Sequence, residues 1–124
     1  MLKKLSAALA LCGLLGAGAA QAQSNAPIHL VIAFPTGGPT DFVGRTISEE
    51  FGKQMKRTVI IDNKPGANGN IAGEYVAHST PDGNTLFFSS VGSIVINPSL
   101  YPKMPYDVPR DFQPVALIVN NATI

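Results

Sequence analysis

The chain predicts an α/β fold, with a parallel sheet laid down in the order β-α-β-α-β. Three observations predict it. Short apolar or β-branched runs at 28–34, 58–62 and 85–90 read as strands. Amphipathic stretches at 39–57 and 69–78 lie between them and read as helices. Each helix is entered from a strand through a glycine-bearing loop. Strands alternating with helices argue for a parallel sheet with its crossovers on the faces, each right-handed.

The first residues stand apart from that pattern. Lys3 and Lys4 precede an uncharged Ala/Leu/Gly-rich run at 5–19, and Ala20-Gln21-Ala22 fits a small-x-small cleavage site, so residues 1–22 read as a secretory signal peptide and Gln23 as the first mature residue. The run is shorter than the ~20 apolar residues a spanning helix needs, and Gly13, Gly16 and Gly18 weaken it further. Cys12 does not make a lipoprotein site, because Leu11 stands where a small residue is required. Removing Lys3 and Lys4 takes Lys+Arg from 9 to 7 against 8 Asp+Glu. A mature charge of about −1 gives no basis for binding nucleic acid or a membrane surface. The only cysteine leaves with the signal, which excludes disulfides, thiolate catalysis and cysteine-ligated metal. An exported chain of this kind is expected in the periplasm.

Residues 28–34 are nearly all apolar, as a strand covered on both faces should be. Pro39 suits the first position of a helix, and Asp41 suits its first turn. Phe42, Val43, Ile47, Phe51 and Met55 recur at helical spacing and predict the apolar face of that helix, which should run to about Arg57. The β-branched run 58–62 predicts the second strand, and Pro65-Gly66 a turn. Gly69 or Asn70 should open a second helix reaching His78, with Ile71, Tyr75 and Val76 on its apolar face. Gly73, inside that helix, reads as a close-packing position. Pro81-Asp82-Gly83-Asn84 is a turn before the third strand. Residues 94–98 read as a short helix or an irregular segment, and the three prolines Pro102, Pro105 and Pro109 make 100–111 mostly loop. Val115-Ala116-Leu117-Ile118-Val119 reads as a buried strand with only five residues after it, so the chain is expected to be the N-terminal piece of something longer.

Ligands of parallel sheets bind outside the carboxyl ends of the strands. Three loops fall there: Pro35, Thr36, Gly37, Gly38, Thr40 and Asp41 after the first strand; Gly66, Ala67, Asn68 and Gly69 after the second; and Ser89, Ser90 and Ser93 after the third. A helix start leaves N–H groups unpaired and carries the positive end of the helix dipole, and glycine lets a ligand approach the backbone. Two such starts beside serine hydroxyls predict a grip for a small anion, most simply a carboxylate. Asp41 opposes this, since its charge repels an anion unless it is turned away or screened by water.

Other chemistries find less support. The spacing of Gly66, Gly69 and Gly73 is neither a dinucleotide fingerprint nor a phosphate loop. His29 and His78 have no neighbours at metal-ligand spacing and read as structural or surface residues. No nucleophile–base pair can be named, and no metal or cofactor is implied.

These same residues resemble the N-terminal part of the solute receptors of tripartite tricarboxylate transporters, the Bug receptors. The matching segments are Ile28-His29-Leu30-Val31-Ile32-Ala33-Phe34-Pro35-Thr36-Gly37-Gly38-Pro39-Thr40-Asp41 and Asp62-Asn63-Lys64-Pro65-Gly66-Ala67-Asn68-Gly69-Asn70-Ile71. Pro81-Asp82-Gly83-Asn84-Thr85-Leu86, Asn97-Pro98-Ser99-Leu100-Tyr101, Pro105-Tyr106-Asp107 and Asp111-Phe112-Gln113-Pro114-Val115-Ala116 follow in order. The resemblance implies part of domain 1 of a type II periplasmic-binding-protein fold spanning 23–124, truncated before the second domain. It implies a monomer that closes on a small carboxylate, held by loop backbone and ordered water, and that works with membrane transporter subunits. By position, the three loops named above would meet the carboxylate. Thr36 stands where proline is common and Asn68 where glycine is common, which suggests a shifted ligand preference. Two alternatives from other classes stay open on the residues alone: a secreted α/β hydrolase-like enzyme, and a truncated module that binds nothing.

Overall fold

A computed structural model describes residues 26–120; the signal-peptide reading of 1–22 lies outside them. Strand β1, Ile28–Ile32, is central. Helix α1 spans Pro39–Met55, β2 Val59–Asn63, α2 Asn70–Ala77 and β3 Thr85–Phe88. A π-helical turn over Gly92–Ile96 runs into α3, Asn97–Leu100, and a last short helix α4 covers Val108–Asp111. The sheet order is β2-β1-β3, with both pairings parallel: Ile28 aligns with Val59, and His29 with Thr85. The predicted β-α-β-α-β order and parallel sheet are present. Each strand ends one or two residues from its predicted limit, because chain pairing, rather than apolar composition, sets where a strand stops.

Burial concentrates on β1, where Val31 and Ile32 are fully enclosed. Val31, Ala33 and Ala72 form the core, with Phe34, Val76 and Phe87 packed against them. Phe112 extends it, stacking on Phe87 and meeting Tyr106 edge-on, each at 5.4 Å between centroids.

The predicted apolar faces hold in part, with Val43, Ile47 and Phe51 on α1 and Val76 on α2 half-buried, but the closest docking is through small residues. On α1, Asp41, Gly44 and Ser48 are buried, while Phe42 is 71% exposed and Met55 also faces outward. The cause is close approach: a Cβ on Gly44 would stand 2.6 Å from the Ile32 side chain. On α2, Asn70, Ala72 and Gly73 are buried, whereas Ile71 and Tyr75 are exposed. The close-packing reading of Gly73 holds, since a Cβ there would overlap the Tyr106 ring. Helix α1 stops at Met55, where Lys56 turns left-handed at φ 53.

The strand predicted at 115–119 is absent. Those residues have no regular structure, and Val115 and Leu117 are each 82% exposed. A strand needs a neighbour to take its N–H and C=O groups, and none of the described strands pairs with this segment. His29 Nδ1 lies 2.8 Å from Asp62 Oδ2, and the exposed His78 has its Nδ1 2.8 Å from the Glu74 carbonyl at the end of α2. Among the described residues no helix is long and apolar enough to cross a membrane, and no cluster of acidic, histidine or cysteine side chains could hold a metal.

Candidate functional site

The three predicted loops do converge on the carboxyl edge of the sheet. The Ala33 N–H reaches the Phe88 carbonyl at 3.1 Å, and the Lys64 N–H reaches the Ile32 carbonyl at 2.9 Å, so all three strands hand over to their loops side by side. Gly69 marks the junction: a Cβ there would overlap Ser93 Oγ and stand 3.1 Å from the Ala33 Cβ. Glycine is required here for that approach and for its φ of +90°.

The first loop is shaped from below by Asp41. Its carboxylate accepts the Gly37 N–H at 2.9 Å, Arg45 Nε at 2.8 Å and Asn63 Nδ2 at 2.9 Å. Asn63 Nδ2 also reaches the Phe34 carbonyl at 3.0 Å, and Arg45 donates to Asn63 Oδ1 at 3.2 Å. The Arg45 guanidinium, then the Gly37 and Asn63 donors, hold the Asp41 carboxyl far below the ordinary carboxylate range. Its charge is therefore taken up inside the protein, and the repulsion expected of it does not face the edge. Gly37 sits at φ +84°, the left-handed value that calls for glycine, whereas Gly38 is extended at φ −78°. Pro35, Thr36 and Gly37 are exposed, and Gly38 and Thr40 half-buried. At the start of α1 the N–H groups of Thr40 and Asp41 belong to the first turn, which has no intrahelical acceptors.

The second loop is unusual in its backbone. Gly66, Ala67, Asn68 and Gly69 all have positive φ, at 129°, 46°, 53° and 90°. Gly66, Ala67 and Asn68 are exposed, while Gly69 is buried. Asn68, exposed as a residue, has its side-chain amide engaged within the protein. Its amide turns inward and donates to Asn97 Oδ1 at 2.7 Å.

The third loop divides in the same way. Ser89 and Ser90 are half-buried at the rim, and Ser90 Oγ accepts the Gly92 N–H at 3.3 Å. Ser93 is fully buried; its hydroxyl accepts from Ser89 and donates to the Asn68 carbonyl, each at 2.8 Å. Of the predicted residues, Asp41, Gly69 and Ser93 thus lie beneath the surface that the others form. Five further residues escaped residue-by-residue reading: Arg45, Asn63, Asn70, Asn97 and Tyr106. Asn97 and Tyr106 stand in the motifs Asn97-Pro98-Ser99-Leu100-Tyr101 and Pro105-Tyr106-Asp107, which carried a resemblance but no chemistry of their own.

The edge is an open surface. A groove of about 1030 Å³ lies elsewhere, between α1, β3 and residues 108–118, and no residue of the predicted loops lines it. The edge carries glycine-rich backbone together with Thr36, which is exposed, and Thr40 and Ser90, which are half-buried. Such a surface suits an acceptor-rich anion.

Comparison with known proteins identifies the family of this fold. Residues 43–124 match the model of the tripartite tricarboxylate transporter family receptor, and the chain belongs to that family. Over 103 residues it is 41% identical to a UPF0065 protein of Bordetella bronchiseptica, covering 82% of this chain and 31% of that protein. Among solved structures it is similar to MatC of Rhodopseudomonas palustris with bound malate, at 40% identity and a TM-score of 0.70 over 74% of this chain and 31% of that one. It is also similar to a second R. palustris protein, solved with adipate, at 35% identity and a TM-score of 0.63 over 72% and 30% of the two chains. The chain therefore spans about a third of the length of the relatives it matches. The family is one of solute receptors, not enzymes, which removes the hydrolase alternative.

Proposed function

We propose that this chain carries the carboxylate-gripping part of a periplasmic solute receptor. In this reading residues 1–22 direct export and are cleaved after Ala22, and 23–124 form the N-terminal part of the first of two domains. The backbone of 35–38, the start of α1, the turn at 66–69 and the Ser90 hydroxyl meet one carboxylate. The receptor acts as a monomer and delivers its ligand to membrane transporter subunits.

The observation that carries this reading is the convergence of two glycine turns and a helix start on one sheet edge, with the nearby acidic charge of Asp41 neutralised from within. The similarity to proteins solved with malate and with adipate supports a small dicarboxylate as ligand class. Calorimetric titration with malate, adipate and a tricarboxylate tests it, with thermal shift alongside. Ligand that binds only the native state raises the unfolding temperature. Saturable heat with at least one of these acids is expected; no heat and no shift with any of them would overturn the reading.

A further inference from the structure

We infer that Ser93 and Asn97 are positioning residues for the turn at 66–69, holding the Asn68 carbonyl inward so that the turn keeps its left-handed backbone. Their importance for ligand rests on the carboxylate reading above; their action on the turn does not. Four successive residues have positive φ, and two of them, Ala67 and Asn68, are not glycine. That conformation is costly for an L-residue, because its Cβ crowds the following carbonyl, so something outside the turn must hold it.

The holding contacts come from 25 and 29 residues downstream. Ser93 Oγ and Asn97 Nδ2 both donate to the Asn68 carbonyl, at 2.8 and 3.1 Å. Because Ser93 Oγ already accepts the Ser89 proton, its own proton is directed at Asn68. Asn97 grips twice, since its Oδ1 also accepts the Asn68 side-chain amide. Both residues are fully buried, and each is braced from below. Asn97 Nδ2 lies 2.6 Å from Asn70 Oδ1, and the Tyr106 hydroxyl lies 3.0 Å from Asn70 Oδ1 and 2.8 Å from the Ser93 carbonyl.

Peptide geometry carries the effect to the surface. In a trans peptide the Gly69 N–H points opposite to the Asn68 carbonyl, and it closes the turn on the Gly66 carbonyl at 2.9 Å. The held carbonyl thus fixes the 68–69 peptide plane and, through it, the closure of the turn.

The test uses the full chain, with Ser93→Ala, Ala67→Gly and the double variant. NMR couplings sensitive to the sign of φ at residues 67 and 68 are read without ligand, and malate and adipate affinities by calorimetry. Ser93→Ala should lose the positive-φ signature at both positions while signals around His29 and Asp62 stay put, and should weaken binding about tenfold. Ala67→Gly alone should keep a positive φ at residue 67, because glycine adopts this backbone freely, and its own affinity is the reference for the double variant. Added to Ser93→Ala, it should restore most of the lost affinity, which a merely stabilising contact would not allow. Unchanged couplings in Ser93→Ala, or a loss that Ala67→Gly leaves in place, would overturn the inference. If Ser93→Ala does not fold, Asn97→Ala takes its place with the same expectations. If the parent chain binds neither acid, the functional proposal fails, and the couplings alone decide the role of Ser93.

Discussion

The Asp41 carboxylate accepts the Gly37 N–H at 2.9 Å, so the loop that opens the predicted anion site is tied down by a negative charge. The arrangement is consistent because Arg45 and Asn63 take up the rest of that carboxylate. Replacing Asp41 by alanine should strand the Gly37 donor and free Arg45, whose guanidinium is half-exposed and would then be able to reach toward the edge. We expect Asp41→Ala to lower the unfolding temperature and to alter ligand preference, and Asp41→Asn to do both less. Equal ligand affinities across a carboxylate panel in a folded Asp41→Ala variant would show that this loop does not shape the site.

The same residue predicts a pH dependence. The folded-state pKa of Asp41 is depressed by Arg45, Gly37 and Asn63. A carboxylate depressed on folding binds fewer protons in the native state, so its contribution is complete above its unfolded pKa of about 3.9 and fades as pH falls below that. Asp111, held at about 2 by Arg110 and the Asp107 N–H, acts in the same direction. Urea unfolding at about pH 7, 5, 4 and 3 should show a flat region and then a loss between about 4 and 3. In Asp41→Asn that acid loss should be shallower; an identical slope would assign it to other groups.

Gly73 supplies a prediction about packing. A Cβ there would overlap Tyr106 Cε1 and stand 2.7 Å from Cζ. The ring cannot swing away freely, since its hydroxyl is engaged with Asn70 and Ser93 and the ring meets Phe112. Gly73→Ala should therefore destabilise by roughly 1–3 kcal/mol through overpacking, despite alanine's better helix propensity. For a domain of this size each kcal/mol lowers the melting temperature by about 4–8 °C. A stabilised Gly73→Ala would mean that helix propensity outweighs the clash. In Gly73→Ala/Tyr106→Ala the clash is removed, so the alanine at 73 should cost nothing beyond what Tyr106→Ala costs alone.

Much of the fold was legible because its signals are local. The apolar run of β1, the Pro39 start of α1, and the turn residues Pro65-Gly66 and Pro81-Asp82-Gly83 each act within a few residues, and the structure places elements where they point. The helix faces were legible only in part, for a physical reason. Periodicity marks where apolar residues repeat, but docking on this sheet is set by how closely the backbones approach, and that selects Gly44, Ser48, Ala72 and Gly73. The upper surface of the site could be read from glycine and serine positions. The support beneath it could not, because Asn68, Asn70, Ser93, Asn97 and Tyr106 meet only in three dimensions, across separations of up to 36 residues. A lone asparagine or tyrosine in a sequence gives no sign of such a partner.

The segment at 115–119 yields the last prediction. Its apolar, β-branched composition predicts a buried strand, yet it is irregular and Val115, Leu117, Ile118 and Val119 are exposed. Amide protons without a hydrogen-bonding neighbour exchange at nearly the unstructured rate. Hydrogen exchange on the chain should therefore show minimal protection at 113–120, against strong protection at Val31 and Ile32 on the central strand. The exposed run also lacks charge, since residues 113–120 hold no Asp, Glu, Lys or Arg, and such a run invites pairing between chains. Light scattering should rise with concentration, and Leu117→Lys should suppress that rise while leaving the unfolding temperature within a few degrees of the parent. Strong protection of 113–120 in dilute monomer would mean that the segment pairs within the chain after all, and Leu117→Lys would then cost substantial stability.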